Sequence, residues 1–436
     1  MKKSIVMCGP FNTRSGYGDH ARSIYYSLAT QPDKYDIKVL DVRWGDTPRN
    51  HLNAQITQEA DLLSKFVTPE QIKQQPDIYI DIRIPNEFMN MGKVNIGVTA
   101  GIETTMVSSA WIEGVNRMDM TIVPSQHSKD SFMNTKYDKV QDIPGQQGKQ
   151  QKIGELKVEK PIEVLHEGMD PNVFKKLSKK EIDKKFVNSL NSVIKRPSLL
   201  FVGQWTQGGM GNDRKDISRL IKLFVETYAN KSHPPGLVLK TNGATLSHLD
   251  LVETKRKIKH VIDLFPKDIT LPPIYLLHAR LTEAELNQLY NHEKIVGLVS
   301  FTHGEGFGRP LLEATFAGLP VCASNWSGHL DFLPEDKCCL VAGNLGKVPK
   351  EVVWENIILE QSQWFTVDDM NAYEALRSIY NEKNTKWNRL AEELRKENIE
   401  KFSMDRMTKL LLQMVDKYAD KIPQPMQIKL PKLATV

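Results

Sequence analysis

Two glutamates eight positions apart, Glu305 and Glu313, bracket the run Gly306-Phe307-Gly308-Arg309-Pro310-Leu311. The apolar stretch 295–300 just before them has the composition of a buried strand. The residues from Arg309 onward suit a helix with proline in its first turn. A strand, a glycine loop and a helix N-terminus in that order present free backbone N–H groups and the positive end of a helix dipole, a natural seat for a diphosphate. Gly306 and Gly308 allow the backbone to come close to phosphate oxygens. Each carboxylate can accept hydrogen bonds from two hydroxyls, so one suits a ribose diol and the other a sugar diol. The chemistry implied is a grip on a nucleotide sugar. On spacing alone, a glycine turn with a capping glutamate fits equally well.

A departing diphosphate also needs a fixed cation, because negative charge develops as the glycosidic bond breaks. Lys215, directly after Arg214, is the first choice. The pair stands between a strand expected at 198–203 and a helix expected at 217–229. In the first half of the chain, Gly16 in SGYG, flanked by Arg14 and His20, and Glu103 in GVTAGIETT each follow strand-like runs. A solvated Arg–Lys pair, a plain turn glycine and a helix-capping glutamate are the alternatives.

These side chains need a scaffold that brings distant loops together. Short apolar runs at 4–8, 37–42, 78–82, 94–99 and 120–123 read as buried strands, with helices at 17–30 and 125–134 between them and Ser125 as a cap. A second series has strands at 198–203, 236–240, 274–278, 295–300 and 320–323, with helices at 217–229, 249–262, 283–292 and 309–317. This alternation predicts an α/β protein with two Rossmann-like units that bind ligands at the carboxyl ends of their strands. Residues 139–160, rich in Gln, Lys and Gly, read as a surface excursion, and the Lys-rich 175–195 as a linker with a short helix at LSKKEIDKKF. Met404, Met407, Leu410, Leu411, Met414 and Val415 recur at helical spacing, which predicts an amphipathic helix within 403–418. Residues 422–436 hold three prolines and no acidic residue, as a loosely tied extension would.

The chain has 436 residues, 40% hydrophobic and 25% charged, enough for two cores. It contains no apolar run of the roughly 18 residues that a membrane span needs. The start, MKKSIVMCGPF, is too short in its apolar part for a secretory signal and reads as the first strand. Four cysteines without zinc-ligand spacing point to reduced, buried thiols and a cytoplasmic location. The net charge of +5 permits an anionic partner without requiring one.

The segment FTHGEGFGRPLLEATFAGLPVCASNWSGHLDFL, residues 301–333, resembles the E-x7-E signature of the retaining family 4 glycosyltransferases, typically EGFG-x-P-x-LE followed by AxAxGxPV. Further segments resemble that family in its own order: NTRSGYGDHARSIYYSL its N-terminal glycine motif, DMTIVPSQHSKDSFM its VPSxxSKxxF element, VLHEGMDPNVF its IPNGVD junction, and HARLTEAELNQLY the strand-loop-helix before the signature. The similarity spans about residues 1–335. It implies the GT-B fold, two Rossmann-like domains facing across a cleft with a C-terminal helix returning to the first. The expected division is an acceptor-binding domain over 1–190, a nucleotide-sugar domain over 191–402, and a crossing helix and tail over 403–436. The activity implied is transfer of a sugar from a UDP- or GDP-sugar to a hydroxyl, by front-face attack in which the departing phosphate takes the acceptor's proton. Lys215, Arg214, Glu305 and Glu103 are then expected at the reacting centre. Gly16, Gly306, Phe307, Gly308, Arg309, Pro310, Leu311 and Glu313 are expected around the donor. No metal and no cofactor is expected, since no Asp-x-Asp stands in a strand-end loop and Asp368–Asp369 falls in a helical context.

Gln204 departs from the family, which usually has arginine there; Arg214 is the candidate replacement. His127 is expected on an exposed helical turn, and His329 in a loop within reach of the donor. The acceptor is left open between DNA carrying hydroxymethylated bases, as for a virus-encoded enzyme acting in the host cytoplasm, and a glycan, lipid-linked or small molecule. Lys179, Lys180, Lys184, Lys185, Lys195 and Arg196, with the run TKRKIKH at 254–260, speak for DNA. An epimerase or phosphorylase on the same fold lacks supporting motifs. A nucleotide-sugar binder without catalysis is supported only by Gln204.

Overall fold

The computed structural model describes residues 2–142, 150–205, 208–243, 246–420 and 422. The first half runs β1 (Lys3–Gly9), α1 (Gly16–Ala29), β2 (Tyr35–Asp41), α2 (Thr57–Ser64), β3 (Ile78–Ile82), β4 (Val94–Val98), α3 (Ser109–Asn116), β5 (Met120–Val123), α4 (Gln126–Asn134), β6 (Tyr137–Asp142), β7 (Gln150–Leu156) and β8 (Ile162–Val164). The second runs α5 (Lys184–Val193), β9 (Ser198–Gln204), α6 (Ile217–Tyr228), β10 (Gly236–Asn242), α7 (His248–Ile262), β11 (Ile274–Leu276), α8 (Glu283–Tyr290), β12 (Ile295–Ser300), α9 (Arg309–Phe316), β13 (Val321–Ser324), β14 (Cys339–Val341), β15 (Gly343–Lys347), β16 (Gln363–Val367), α10 (Asp369–Asn381), α11 (Asn388–Phe402) and α12 (Met404–Ala419).

Two six-stranded parallel sheets result, ordered β2-β1-β3-β4-β5-β8 and β11-β10-β9-β12-β13-β14. β3, β4 and β5 are buried along their whole length, as strands covered by helices on both faces must be. Edge strand β2 instead alternates buried and exposed residues. Each sheet builds outward from β1 or β9 and then resumes on that strand's other side. The loops after β9 and β12 therefore diverge at a topological switch point, where a crevice opens.

The chain then returns to the first sheet. The Met169 N–H donates to the Phe402 carbonyl (2.9 Å) and the Met404 N–H to the Met169 carbonyl (2.8 Å), which tie the crossing point. α12 lies on α1, where the Ser27 and Thr408 hydroxyls meet at 2.8 Å. Met407, Leu411 and Val415 are fully part of the first domain's core. Each such side chain contributes about 1.5–3 kcal/mol by leaving water.

Two segments differ from expectation, and a third stands outside it. The excursion at 139–160 contains an antiparallel hairpin, β6 with β7, which exposes Val140 and Ile153 and packs Tyr137 and Leu156 on the first domain's cluster around Val107. Residues 143–149 lie outside the described residues, as does all of the proline-containing tail except Ile422. The helix in 175–195 starts only at Lys184, near the end of LSKKEIDKKF, because the Asp183 carboxylate caps it by accepting from the Lys185 N–H (2.9 Å). Its Leu190 joins Phe174 and Ile194 in the second domain's core, so the segment is packed and is not a free linker. The antiparallel pair β15–β16, to which no expectation was attached, forms an arm on the second domain.

Candidate active site between the two sheets

The loop between β9 and α6 carries Arg214 and Lys215. It is held from the neighbouring strand end: the Arg214 carbonyl accepts from the His303 N–H (3.1 Å) and from the Thr302 hydroxyl (3.2 Å). Asp213 caps α6 by accepting from the Ile217 N–H (3.1 Å). The Lys215 ammonium donates to the Glu305 carboxylate. Burial pushes the Lys215 pKa down against the pull of Glu305. Burial also opposes the charge on Glu305, but Lys215 and Arg214 outweigh it and hold the carboxyl below its usual range. Arg214 reaches across to the first domain, with its guanidinium 2.5 Å from the Glu103 carboxylate. All four residues expected at the reacting centre therefore lie in one cluster, built from loops after β4, β9 and β12.

Glu313 lies one turn inside α9, buried, and makes a different set of contacts. It accepts from the Tyr290 hydroxyl (3.0 Å) and from Arg309 Nε (3.2 Å). Burial pushes its pKa up to about 7 despite Arg309. Arg309 also faces Glu167 at 3.7 Å and Glu283 at 3.4 Å, the Asp19 carboxylate of α1 helps hold its charge, and that charge in turn disfavours protonation of His20 in α1. Glu167 is likewise pushed up to about 7 by burial. Tyr290 and Glu167 were not singled out from sequence. Tyr290 is the last residue of α8 and carries no local signal, whereas Glu167 stands where the junction element of the resembled family has asparagine.

Gly308 has φ +98°, a conformation that favours glycine, and it starts α9. Gly306 needs to be glycine for another reason: a Cβ there would lie 2.4 Å from the Ala100 carbonyl oxygen of the first domain. The Gly306 carbonyl accepts from the Ser125 hydroxyl at the start of α4 (2.6 Å). Phe307 and Leu311 are buried in the second domain's core, where they support the loop from beneath, and Pro310 lies in the first turn of α9. Gly16 opens α1, and nothing lies within 4 Å of where its Cβ would be, so its backbone faces open space. His127 is not on an exposed turn. α4 packs against the second domain, and the His127 ring meets Trp326 at 4.7 Å between centroids. His329 is fully buried, with Nε2 2.7 Å from the Ser324 carbonyl.

The basic residues expected near the cleft are partly engaged elsewhere. Arg256 pairs with Glu253 (2.8 Å), Lys259 with Asp263 (2.5 Å), and Arg196 donates to the Pro234 carbonyl (3.2 Å). No helix among the described residues is long and apolar enough to cross a membrane.

Two facing Rossmann-like domains with a cation-carboxylate cluster at the switch point define the GT-B class of fold. Solved structures agree. A glycosyltransferase from Rickettsia africae superposes with a TM-score of 0.63 at 13% identity, over 96% of this chain and 99% of that one. Sucrose-phosphate synthase from Thermosynechococcus elongatus gives 0.62 at 13% identity, over 95% and 99%. HepE from Anabaena in complex with UDP-glucose gives 0.58 at 13% identity, over 95% and 100%. No protein-family profile and no curated protein sequence matches the chain.

Proposed function

We propose that this chain is a retaining glycosyltransferase that takes a sugar from a UDP-sugar. The observation that carries the reading is the partly buried pair Arg214–Lys215 set against Glu103 and Glu305 at the switch point. A cation pair there is placed to take up the charge of a leaving diphosphate. HepE and sucrose-phosphate synthase are similar in fold, and the former binds UDP-glucose, which favours uridine over guanosine donors. In this reading Glu313 accepts from the ribose diol and Glu305 from sugar hydroxyls, with Lys215 moving to the diphosphate. Gly16 passes its open backbone along the phosphates, and Glu103 faces the sugar or acceptor hydroxyls. The bond from the anomeric carbon to the phosphate oxygen breaks, the acceptor oxygen bonds to that carbon on the same face, and the acceptor proton leaves on the released UDP. Residues near Glu103 and α1 form the acceptor side.

Calorimetry with UDP-glucose and GDP-mannose, followed by hydrolysis assays with and without EDTA, tests the donor. Tight UDP-glucose binding and EDTA-resistant turnover are expected. Binding of neither donor would overturn the reading. For the acceptor, the pairing of Arg256 with Glu253 and of Lys259 with Asp263 leaves the run at 254–260 with fewer free cations for phosphates, which favours a sugar or small-molecule hydroxyl over DNA. Transfer to a hydroxymethylcytosine duplex, with binding that weakens steeply with salt, would reverse that preference.

A further inference from the structure

His303, two residues before Glu305, makes contacts that glycosyl transfer as described does not use. Its ring is 1% exposed and stacks on Trp364 of β16 at 4.0 Å between centroids, tilted by 12°. Nδ1 lies 2.6 Å from the Phe365 carbonyl, and the Phe365 N–H donates back to the His303 carbonyl (3.0 Å). Nε2 lies 3.0 Å from the Gly211 carbonyl, in the loop that carries Arg214 and Lys215. The His303 N–H holds the Arg214 carbonyl at 3.1 Å. Asp216, directly after Lys215, is fully buried with φ +51° and its carboxylate is 3.7 Å from Nε2. A non-glycine residue held in that conformation persists only where its surroundings enforce it. Burying an imidazole is costly unless its nitrogens are satisfied. Here both nitrogens face carbonyl oxygens from segments far apart in the chain, and the ring, kept neutral by burial, has a single N–H that it can donate to only one of them at a time.

The β16 segment also touches the other domain. Gln363, at the start of β16, exchanges hydrogen bonds with Thr105: the Thr105 N–H donates to the Gln363 carbonyl (3.0 Å) and the Gln363 N–H to the Thr105 hydroxyl oxygen (3.0 Å). Ile357, on the same arm, packs on the first domain's cluster around Val107 and Trp111. Thr105 is two residues from Glu103. A continuous path thus runs from the Glu103 loop through the arm and the His303 ring to the Arg214–Lys215 loop.

We propose that His303 is a positioning residue that couples docking of the β15–β16 arm on the first domain to the placement of Arg214 and Lys215, a role that rests on reading Lys215 as the cation for the donor diphosphate. The arm reports that the cleft is closed, and the ring sets the loop for turnover in that state. Displacing a charged group by about 1 Å costs on the order of 10²-fold in rate. His303→Asn keeps an amide near the Nδ1 position but does not reach Gly211, whereas His303→Gln reaches it.

The test uses the full chain, UDP-glucose hydrolysis for kcat and KM, calorimetry with UDP, and thermal melting. His303→Asn is expected to lower kcat about tenfold or more with KM within about threefold, and His303→Gln to restore most of kcat at a similar Tm. Thr105→Val, at the arm's docking point, should lower kcat in the wild-type background but not when added to His303→Asn or Lys215→Ala, because coupled groups are not additive. Wild-type kcat in His303→Asn, no rescue by glutamine, or losses from Thr105→Val that multiply in either background would overturn the proposal. Should His303→Asn not fold, the pair of Thr105→Val measurements with and without Lys215→Ala still decides it. If Lys215→Ala loses turnover and the His303 variants do not, only this coupling falls. If the wild type neither binds UDP nor hydrolyses UDP-glucose, the donor reading falls and takes the coupling with it.

Discussion

Glu305 and Glu313 are the same residue type eight positions apart in one motif, yet the fold gives them opposite electrostatic states. Glu305 sits in a loop beside Lys215 and Arg214, which together overcome the cost of burial and keep it ionised below its usual range. Glu313 sits inside a helix, between a tyrosine hydroxyl and one arginine already shared with Glu167 and Glu283, and burial pushes it up to about 7. A buried carboxylate is thus governed less by its own chemistry than by how many cations share it. In the proposed reading, the carboxylate with dedicated cations is the one at the reacting centre, and the one near neutrality is the one that holds a neutral diol.

The largest test of this contrast is Lys215→Ala. It should lower kcat by about 10²–10³-fold, the usual cost of removing one stabiliser of developing charge, with a smaller loss of UDP affinity. Single-turnover hydrolysis with parallel calorimetry separates the two. Glu313→Ala should do the reverse and weaken UDP binding by roughly tenfold or more, because an unpaired ribose hydroxyl loses about 1–3 kcal/mol. Equal losses of kcat and affinity in both variants would erase the distinction.

A third effect is pH dependence. Glu313 binds its proton up to about pH 7, whereas Glu305 is already ionised well below that. UDP affinity should therefore rise between pH 6 and 8 by a few-fold, and Glu313→Gln should flatten that rise. The sign for stability is opposite. A carboxyl whose folded pKa is raised stabilises the fold at low pH, and that contribution is lost as pH rises from about 4.5 toward 7. Melting curves of Glu313→Gln against wild type should thus diverge in the mutant's favour as pH increases. Glu103→Gln should have the smallest effect. The Arg214–Glu103 pair is about a quarter exposed on each side, so its loss should cost about 0.5–1 kcal/mol in stability, read as a small fall in Tm. A large fall would make that contact a main support of the closed cleft.

Local chemistry in the sequence was enough to place most elements. The glycine at 308, Ser125 ahead of α4 and the apolar spacing of 403–418 each determine a boundary by short-range physics: a left-handed backbone, a side-chain cap, a face to bury. The same locality explains the misplaced start of α5, where Asp183 outcompeted an earlier polar stretch as a cap, and the unforeseen β6–β7 hairpin, whose exposed strands have no hydrophobic period to read. His127 misled for a related reason. Its helix face is polar by composition and is covered only because Trp326 arrives from the other domain.

The sequence by itself determined the two βαβ series, the glycine loop with its paired glutamates, and the cations that face them, because periodicity, capping and spacing act over a few residues. Only the tertiary structure decided that Arg214 would meet Glu103, that Glu313 would share Arg309 with Glu167, and that His303 would bridge Gly211 and Phe365. Apart from the Arg309–Glu313 contact within α9, those contacts join residues tens to hundreds of positions apart. Their strength depends on burial and on which charges crowd together, quantities that exist only once the chain has folded.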